Sequence, residues 1–352
     1  MPIIQSGLVG LQAPPTSPNV TSALTALDIV VHSKELLWQS LPRMEFLQFA
    51  VPRLELGAQP GHTIRFIKHQ NINRGGKVKE SVRLVTKDYA IGTVNVTVHE
   101  FANATSVTDF LLLSNPYDQM EAMVKLLSDD YAKVVDEHFI EVIYQTTPTV
   151  MFGNGTVASR AALVAGNTFT TATVRYAVTL AAKKLIPMFT QPRMDGGGMT
   201  SFYICFVTQE QCKTLMEDSA WTDASLYAGA VQIFTGEVGM YYGVRFIKTT
   251  QTPIIKAATG NIIVSGYDLT SNKPLEFPAG FSVAAHATLD VHAACLFGDY
   301  VYAIAEGMPV GIYTNGILDF GREHDLAWRS VMGAALLNND RIIVIETAQT
   351  TI

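Results

Sequence analysis

Apolar positions along the chain change period several times, and each change marks an element. The clearest run covers 118–144. Met120, Met123, Val124, Leu127, Tyr131, Val134, Val135, His138, Val142 and Ile143 recur at helical spacing on one broad face. Asp129, Asp130, Lys133, Asp136 and Glu137 fall on the other. Roughly 27 residues at about 1.5 Å each predict a helix of about 40 Å, long enough to span its domain. Pro116 precedes it and Pro148 follows it. Period-two patterning predicts a strand over 62–69, opened by the Pro60-Gly61 turn. A second covers 93–101, with Val94, Val96 and Val98 on one face. Together, 60–101 reads as a long two-stranded excursion whose tip holds Gly75-Gly76 among Arg74, Lys77, Lys79 and Arg83. A lone hairpin is marginal in water, so this one is expected to pack on something, a second copy of the chain included.

Further along, a helix is predicted over 171–186, stopping before Pro187, and a buried-type strand over 201–207. Thr208 and Gln211 have the spacing of a capping box and open a helix to about residue 218. Strand-like segments follow near 244–248, 262–267 and 300–305. The C-terminus reads as a hairpin: an apolar segment to Leu337, a turn at Asn338-Asn339-Asp340, and a strand over 341–346. Residues 1–23 are rich in Pro, Gly, Ser and Thr and read as an extended arm. A short helical stretch interrupted by Pro42 follows over 36–49. No internal repeat has a clear period.

Composition narrows the class. The chain has 352 residues, 48% of them apolar, which is enough for a sizeable core and excludes intrinsic disorder. Only 16% are charged, against about 25% in an average domain. Obligate interfaces are depleted in charge, so an oligomer is expected. The net charge of −6 argues against phosphate gripping as the main activity. Three cysteines (Cys205, Cys212, Cys295) make neither a disulfide framework nor a zinc spacing, and are expected as buried thiols. The first 20 residues lack the pattern of a signal peptide, and no uncharged apolar run reaches about 18 residues, so no membrane association is expected.

Candidate chemistry is sparse. Neither a phosphate-binding GxxxxGK[ST] loop, nor a GxGxxG, nor an HExxH occurs. Gly280-Phe281-Ser282-Val283-Ala284 approaches a nucleophile elbow but lacks its second glycine. His286, Asp290 and His292 would share one face of a strand, as a metal set does. The plainer reading is a set of hydrogen-bonded loop or interface groups. Glu323, His324 and Asp325 are consecutive and read as a turn or a helix start. The basic residues Arg74, Lys77, Lys79 and Arg83 have no aromatic interleaving for base stacking; a solvated tip, or one docked on an acidic neighbour, fits them better. No catalytic, cofactor or metal residue is assigned.

One stretch is distinctive. Residues 224–255 contain GEVG (Gly236–Gly239) and YGVRFIKT (Tyr242–Thr249). SFYICFVTQEQCKTLMEDSAW comes before it, and YVYAIAEGMPVGIY and WRSVMGAALLNNDRIIVIET after it. In order and spacing, over roughly 60–350, this succession resembles the major capsid proteins of tailed phages, the family typified by the short-tailed phage N-four. The resemblance implies an α+β Hong Kong 97-type fold. Its parts would be an N-terminal arm (1–50), an E-loop with flanking strands (51–101), a P-domain on a long spine helix (102–165 plus 317–352) and an A-domain (166–316). Gly236, Gly239 and Gly243 would serve tight turns or close packing, and Arg245 would lie on one face of a core strand. Arg74, Lys77, Lys79 and Arg83 would be the E-loop's contacts with neighbouring copies. Lys77, Lys79 and Lys87 lie in or near that loop, but no motif marks a Lys–Asn crosslink. The implied function is self-assembly into hexamers and pentamers of an icosahedral virion shell, built in the host bacterial cytoplasm. The shell would enclose double-stranded DNA without sequence-specific binding, with portal, scaffold and decoration proteins as further partners. Two other readings remain: a cytoplasmic α/β metal-assisted enzyme using His286, Asp290 and His292, and a non-shell structural phage protein.

Overall fold

The computed structural model describes residues 44–53, 61–69, 75–77, 80, 83–84, 86, 89–114, 119–145, 149–192, 199–221, 237–264, 267–268, 286–315 and 319–349. In chain order the elements begin with β1 (Val51–Arg53), β2 (Thr63–His69), β3 (Ile91–Thr97), β4 (His99–Thr108), α1 (Asp109–Ser114), α2 (Gln119–Gln145) and β5 (Thr149–Phe152). The middle of the chain holds α3 (Thr171–Lys183), β6 (Phe189–Pro192), β7 (Met199–Val207), α4 (Gln209–Met216), β8 (Glu237–Tyr241) and β9 (Val244–Lys248). The remainder is β10 (Ile254–Ile255), β11 (Ile262–Val264), β12 (Tyr267–Asp268), β13 (Val291–Phe297), β14 (Tyr302–Thr314), β15 (Glu323–Leu336) and β16 (Ile342–Ala348).

Among the described residues, three sheets result. A four-stranded sheet runs β1-β14-β15-β4, with β1 parallel to β14 and the other pairs antiparallel. A ten-stranded sheet follows the path β12-β11-β10-β13-β7-β9-β8, with β16 pairing β13 and β5, and β6 pairing β7. The hairpin β2-β3 stands by itself. In the ten-stranded sheet every position of β13 and β16 is buried, so both faces are covered and the strands read as unbroken apolar runs. Alternation along these strands divides the core. Phe202, Ile204, Phe206, Cys295 and Phe297 face one cluster; Tyr203, Cys205, Val207, Ala294 and Leu296 face the other. The second cluster is capped by Val174, Ala177 and Ala181 of α3 and Leu215 of α4. The first is shared with α2 and with β14 and β15 of the four-stranded sheet.

The long helix forms where its period places it. Its second face differs from the expectation, because Asp136 and Glu137 are buried. The reason is the segment 44–50, which crosses between helix and sheet. The Asp136 carboxylate accepts the backbone N–H groups of Glu45 (3.1 Å) and Phe46 (3.2 Å). Phe46 in turn lies against Phe206, ring centroids 4.2 Å apart. Nonlocal chain thus covers a face that periodicity assigns to water.

The C-terminal hairpin does not form. β15 pairs with β14 and β4, whereas β16 pairs with β13 and β5 in the other sheet. The turn at Asn338 is real, its side chain accepting from the Asp340 N–H, but the chain uses it to cross between sheets. Residues 323–325 also depart from the turn reading: they begin β15 and pair with Thr108, Val107 and Ser106 of β4. The segment 262–267 divides into β11 and β12, which pair with each other. The strand near 300–305 extends to Thr314 through two register shifts opposite β15. The helix predicted to 186 ends at Lys183, where Leu185 turns left-handed at φ 55°. The arm (1–23) and most of 36–49 lie outside the described residues.

Candidate assembly surfaces

The residues singled out as a metal set are committed elsewhere. His286 donates from Nε2 to the Leu163 carbonyl (3.0 Å), and its Nδ1 accepts the N–H groups of Thr288 and Leu289. Asp290 accepts Lys256 Nζ (2.7 Å) and the Ala257 N–H (2.9 Å). His292 is buried on β13 beside the Thr208 hydroxyl at 3.0 Å. Burial holds its imidazole below the usual value, against the pull of Glu210. Only His292 belongs to a strand; 286–290 is a loop, so the shared face assumed from even spacing does not exist. Among the described residues, no group of three or more His, Cys, Asp or Glu is placed to hold a metal ion. Ser282 lies outside the described residues. Cys205, Cys212 and Cys295 are free and buried, and burial pushes all three thiols up, that of Cys295 to about 12.

The motif residues serve local packing. Tyr242 and Gly243 both have positive φ, 50° and 77°. They form the two-residue turn joining β8 to β9, where twist favours left-handed residues. Gly239 packs under Trp221, and an added Cβ would approach the indole to 3.2 Å. Arg245 is buried on β9 with its guanidinium 4.2 Å from the centre of the Phe202 ring. Gly236, Arg74, Lys79 and Lys87 lie outside the described residues; Lys77 and Arg83 are exposed.

The α2 helix carries acids that water does not reach. Burial raises the Asp136 carboxyl well above its usual value, Glu45 and Glu137 adding to the rise and the two N–H donors opposing it. Burial also raises Glu137 to about 7, with Asp130 adding and Lys133 opposing. His138 is a satisfied core-edge residue: its Nε2 accepts the Ala334 N–H (3.1 Å) and its Nδ1 meets Glu141 at 3.3 Å. Asp130 accepts Trp328 Nε1–H at 2.8 Å, pinning the helix to β15.

Among the described residues, two surfaces combine exposed apolar side chains with the ends of the four-stranded sheet. The first is the β2-β3 hairpin. Its base is seated on the four-stranded sheet, so closely that a Cβ added to Gly333 would run into the Thr97 carbonyl oxygen. On that side Ile64 opposes Val96 and Phe66 opposes Val94. Towards the tip the hairpin leaves its own sheet, and Ile67 and Ile91 are 64% and 56% exposed. The second lies at the opposite end of β4 and β15. There α1 exposes Phe110 and Leu113, each at 80%, and the turn before β15 exposes Phe320 completely. The backbone N–H of Asp109 donates to the Arg322 carbonyl at 2.8 Å, joining the two segments. Asp319, Phe320 and Gly321 are all left-handed (φ 39°, 58° and 89°), which is uncommon for a bulky residue. The sequence reading missed this end. The signals were the run Phe110-Leu111-Leu112-Leu113 directly after a strand and Phe320 set between Asp319 and Gly321.

Comparison with known proteins follows the same direction. The profile of the family described as "Phage capsid protein" matches residues 132–307, half of the chain. No curated protein matches. Among solved structures, the capsid of Ralstonia phage GP4 superposes with a TM-score of 0.62 at 15% identity, covering 99% of both chains. The capsid of cyanophage Pam1 gives 0.64 at 14% identity, again covering 99% of both. The acid-stable capsid of Helicobacter pylori bacteriophage KHP30 gives 0.63 at 13%, covering 87% of this chain and 92% of that one. At such identities the likeness is one of fold.

Proposed function

The chain belongs to the phage capsid protein family, and from that premise we propose that it is the major capsid protein, closing as hexamers and pentamers into an icosahedral shell around double-stranded DNA. The observation that carries the reading is the coincidence of the family match with an end-to-end likeness of fold to capsid subunits. On this reading the ten-stranded sheet with α3 and α4 is the axial domain, the four-stranded sheet with α2 the peripheral one, and β2-β3 the extended loop. Heterologous, ring-closing contacts organise the subunits. A standard interface buries about 1,600 Å², and several modest ones per subunit suffice once rings close. The −6 charge suits a container that releases its cargo. Portal, scaffold and decoration proteins, and assembly in the bacterial cytoplasm, belong to the same proposal, as does the absence of catalytic residues and cofactors. The metal-assisted alternative has no support in the geometry of His286, Asp290 and His292.

The test is electron microscopy of the expressed full-length protein, with any co-expressed scaffold. Uniform closed particles are expected; tubes or open sheets would instead make it a non-shell structural protein. Deleting residues 71–80 should leave a folded subunit that makes no shells, and normal shells from that variant would remove the hairpin from assembly.

A further inference from the structure

Residues 44–50 close the seam between the long helix and the ten-stranded sheet. Met44 and Phe46 are buried there. On the sheet side Phe46 lies against Phe206 of β7. Phe49 meets Phe189, Phe206 and Phe297 edge-on, with ring centroids 5.8, 5.8 and 5.9 Å away. The Tyr302 hydroxyl donates to the Phe46 carbonyl at 2.7 Å. On the helix side the segment is held by Asp136, whose two carboxyl oxygens accept the N–H groups of Glu45 and Phe46.

That anchor is built of acids. Asp136 is fully buried, and Glu137 next to it is buried as well. Glu45 brings a third carboxyl, whose Oε2 is buried with no hydrogen-bond partner; its side chain is otherwise bonded by Thr249. The titratable groups facing Asp136 are Glu45 from the segment, Glu137 from its own helix and Tyr302 from β14. The Cys295 thiol of β13 lies beside Tyr302. Burial pushes both the phenol and the thiol up, so neither carries charge near neutral pH. Asp130 and Lys133, further along α2, act on Glu137. Among the described residues no Lys, Arg or His forms an ion pair with Asp136 or Glu45. An ionised Asp136 would therefore sit buried without a counter-ion and against its like-charged neighbours. A protonated carboxyl avoids that cost and still offers lone pairs to the two N–H groups. With the segment lifted off the helix, the same carboxyls face water and ionise at the ordinary value of about 4. The docked form thus binds the proton more tightly, and docking weakens as pH rises.

We infer that residues 44–46 are a proton-operated latch at the root of the N-terminal chain, seated on α2 while Asp136 is protonated and let go when Asp136 and its acid neighbours are charged. Residues 1–43 join the subunit at this point, so the latch sets whether their root is held at the helix–sheet seam. β1 keeps the chain beyond it paired to β14, which makes the opening local. The latch belongs to the subunit, assembled or not, and is independent of the shell reading.

Hydrogen exchange of the full-length unassembled subunit, read by mass spectrometry from about pH 6 to about pH 9, tests it. Once the intrinsic rise of exchange with pH is divided out, protection of peptides spanning 44–50 should fall about tenfold or more. Peptides of α2, β13 and β16 should keep theirs. Asp136→Asn has no titrating carboxyl at the anchor, and its protection should change by about threefold or less over the same range. Glu45→Gln keeps the backbone donor and removes one neighbouring charge. It should move the fall to higher pH while matching the parent within about twofold at the acid end. Protection of 44–50 that does not change with pH in the parent overturns the latch. So does a fall of the parent's size in Asp136→Asn, or a fall in which α2 and β13 open in step, which is global unfolding. If Asp136→Asn does not fold, Glu45→Gln decides, and an unshifted fall there overturns the latch.

Discussion

The ten-stranded sheet and the periphery of the four-stranded sheet solve the same problem differently. In the first, several buried polar groups are matched inside the chain, although among the described residues His292 Nε2 is buried with no hydrogen-bond partner. Glu346, fully buried on β16, receives Arg160 through two bonds, Nε to Oε2 at 2.6 Å and Nη2 to Oε1 at 2.5 Å. Gln211 bonds the His292 carbonyl at 3.1 Å and the Thr347 hydroxyl at 2.9 Å, joining α4 to β13 and β16. Both faces of β13 and β16 are closed. At the ends of the four-stranded sheet, Phe110, Leu113, Phe320, Ile67 and Ile91 face outward. One region closes its core within the chain, and the other, on the proposed reading, is finished by copies of it. Damage to the first should lower subunit stability, and damage to the second should stop assembly while leaving the fold intact.

The sharpest way to break this contrast is Arg160→Met. It leaves the Glu346 carboxylate buried and unpaired, which should cost about 3–5 kcal/mol in urea denaturation of the unassembled protein. A loss below about 1 kcal/mol would mean that the sheet is not internally completed as argued. Next in size is Gly333→Ala. The new methyl would meet the Thr97 carbonyl and Val98 backbone, so a loss of about 1–3 kcal/mol is expected. Gly75→Ala, with nothing within 4 Å, should stay within about 0.5 kcal/mol. Equal effects at both would show that the hairpin base is not seated on β15.

The smallest effect concerns pH. Burial raises Glu137 from 4.5 to about 7. The unfolded chain therefore loses this proton first, and stability falls as pH rises from about 4.5 through 7. Glu137→Gln removes that contribution. It should match the parent near pH 4.5 and exceed it above pH 7 by on the order of 1 kcal/mol, measured by denaturation across the range. A variant less stable than its parent at pH 8 would mean that Glu137 is held ionised, with Lys133 outweighing burial.

Local pattern locates the long helix to within a residue at each end, because α2 runs from Gln119 to Gln145 on a sustained 3.6-residue period. It also locates the start of α4, where Thr208 and Gln211 bond reciprocally as their spacing predicts, and β9 at Val244–Lys248. These elements are decided by neighbours in sequence. The site is less legible. Arg160 and Glu346 are 186 residues apart, and no period or motif links them. Helical position assigns Asp136 to water, and the segment 44–50 that buries it is recognisable only once folded.

The sequence by itself determined that this is an α+β chain with a long amphipathic helix, a basic two-stranded excursion and no catalytic signature. Through its ordered motifs it also pointed to the family. Tertiary structure alone decided which sheet each strand joins. The run 328–347 looks like one hairpin but is divided between two sheets: β16 pairs with β13 and β5, where every one of its residues is buried. It also decided that His286, Asp290 and His292 hold loops and strands together, and that the segments carrying the exposed Phe110 and Phe320 are joined by the Asp109–Arg322 backbone hydrogen bond. Such outcomes depend on contacts far apart in sequence, where burial and pairing override the local propensity that a sequence displays.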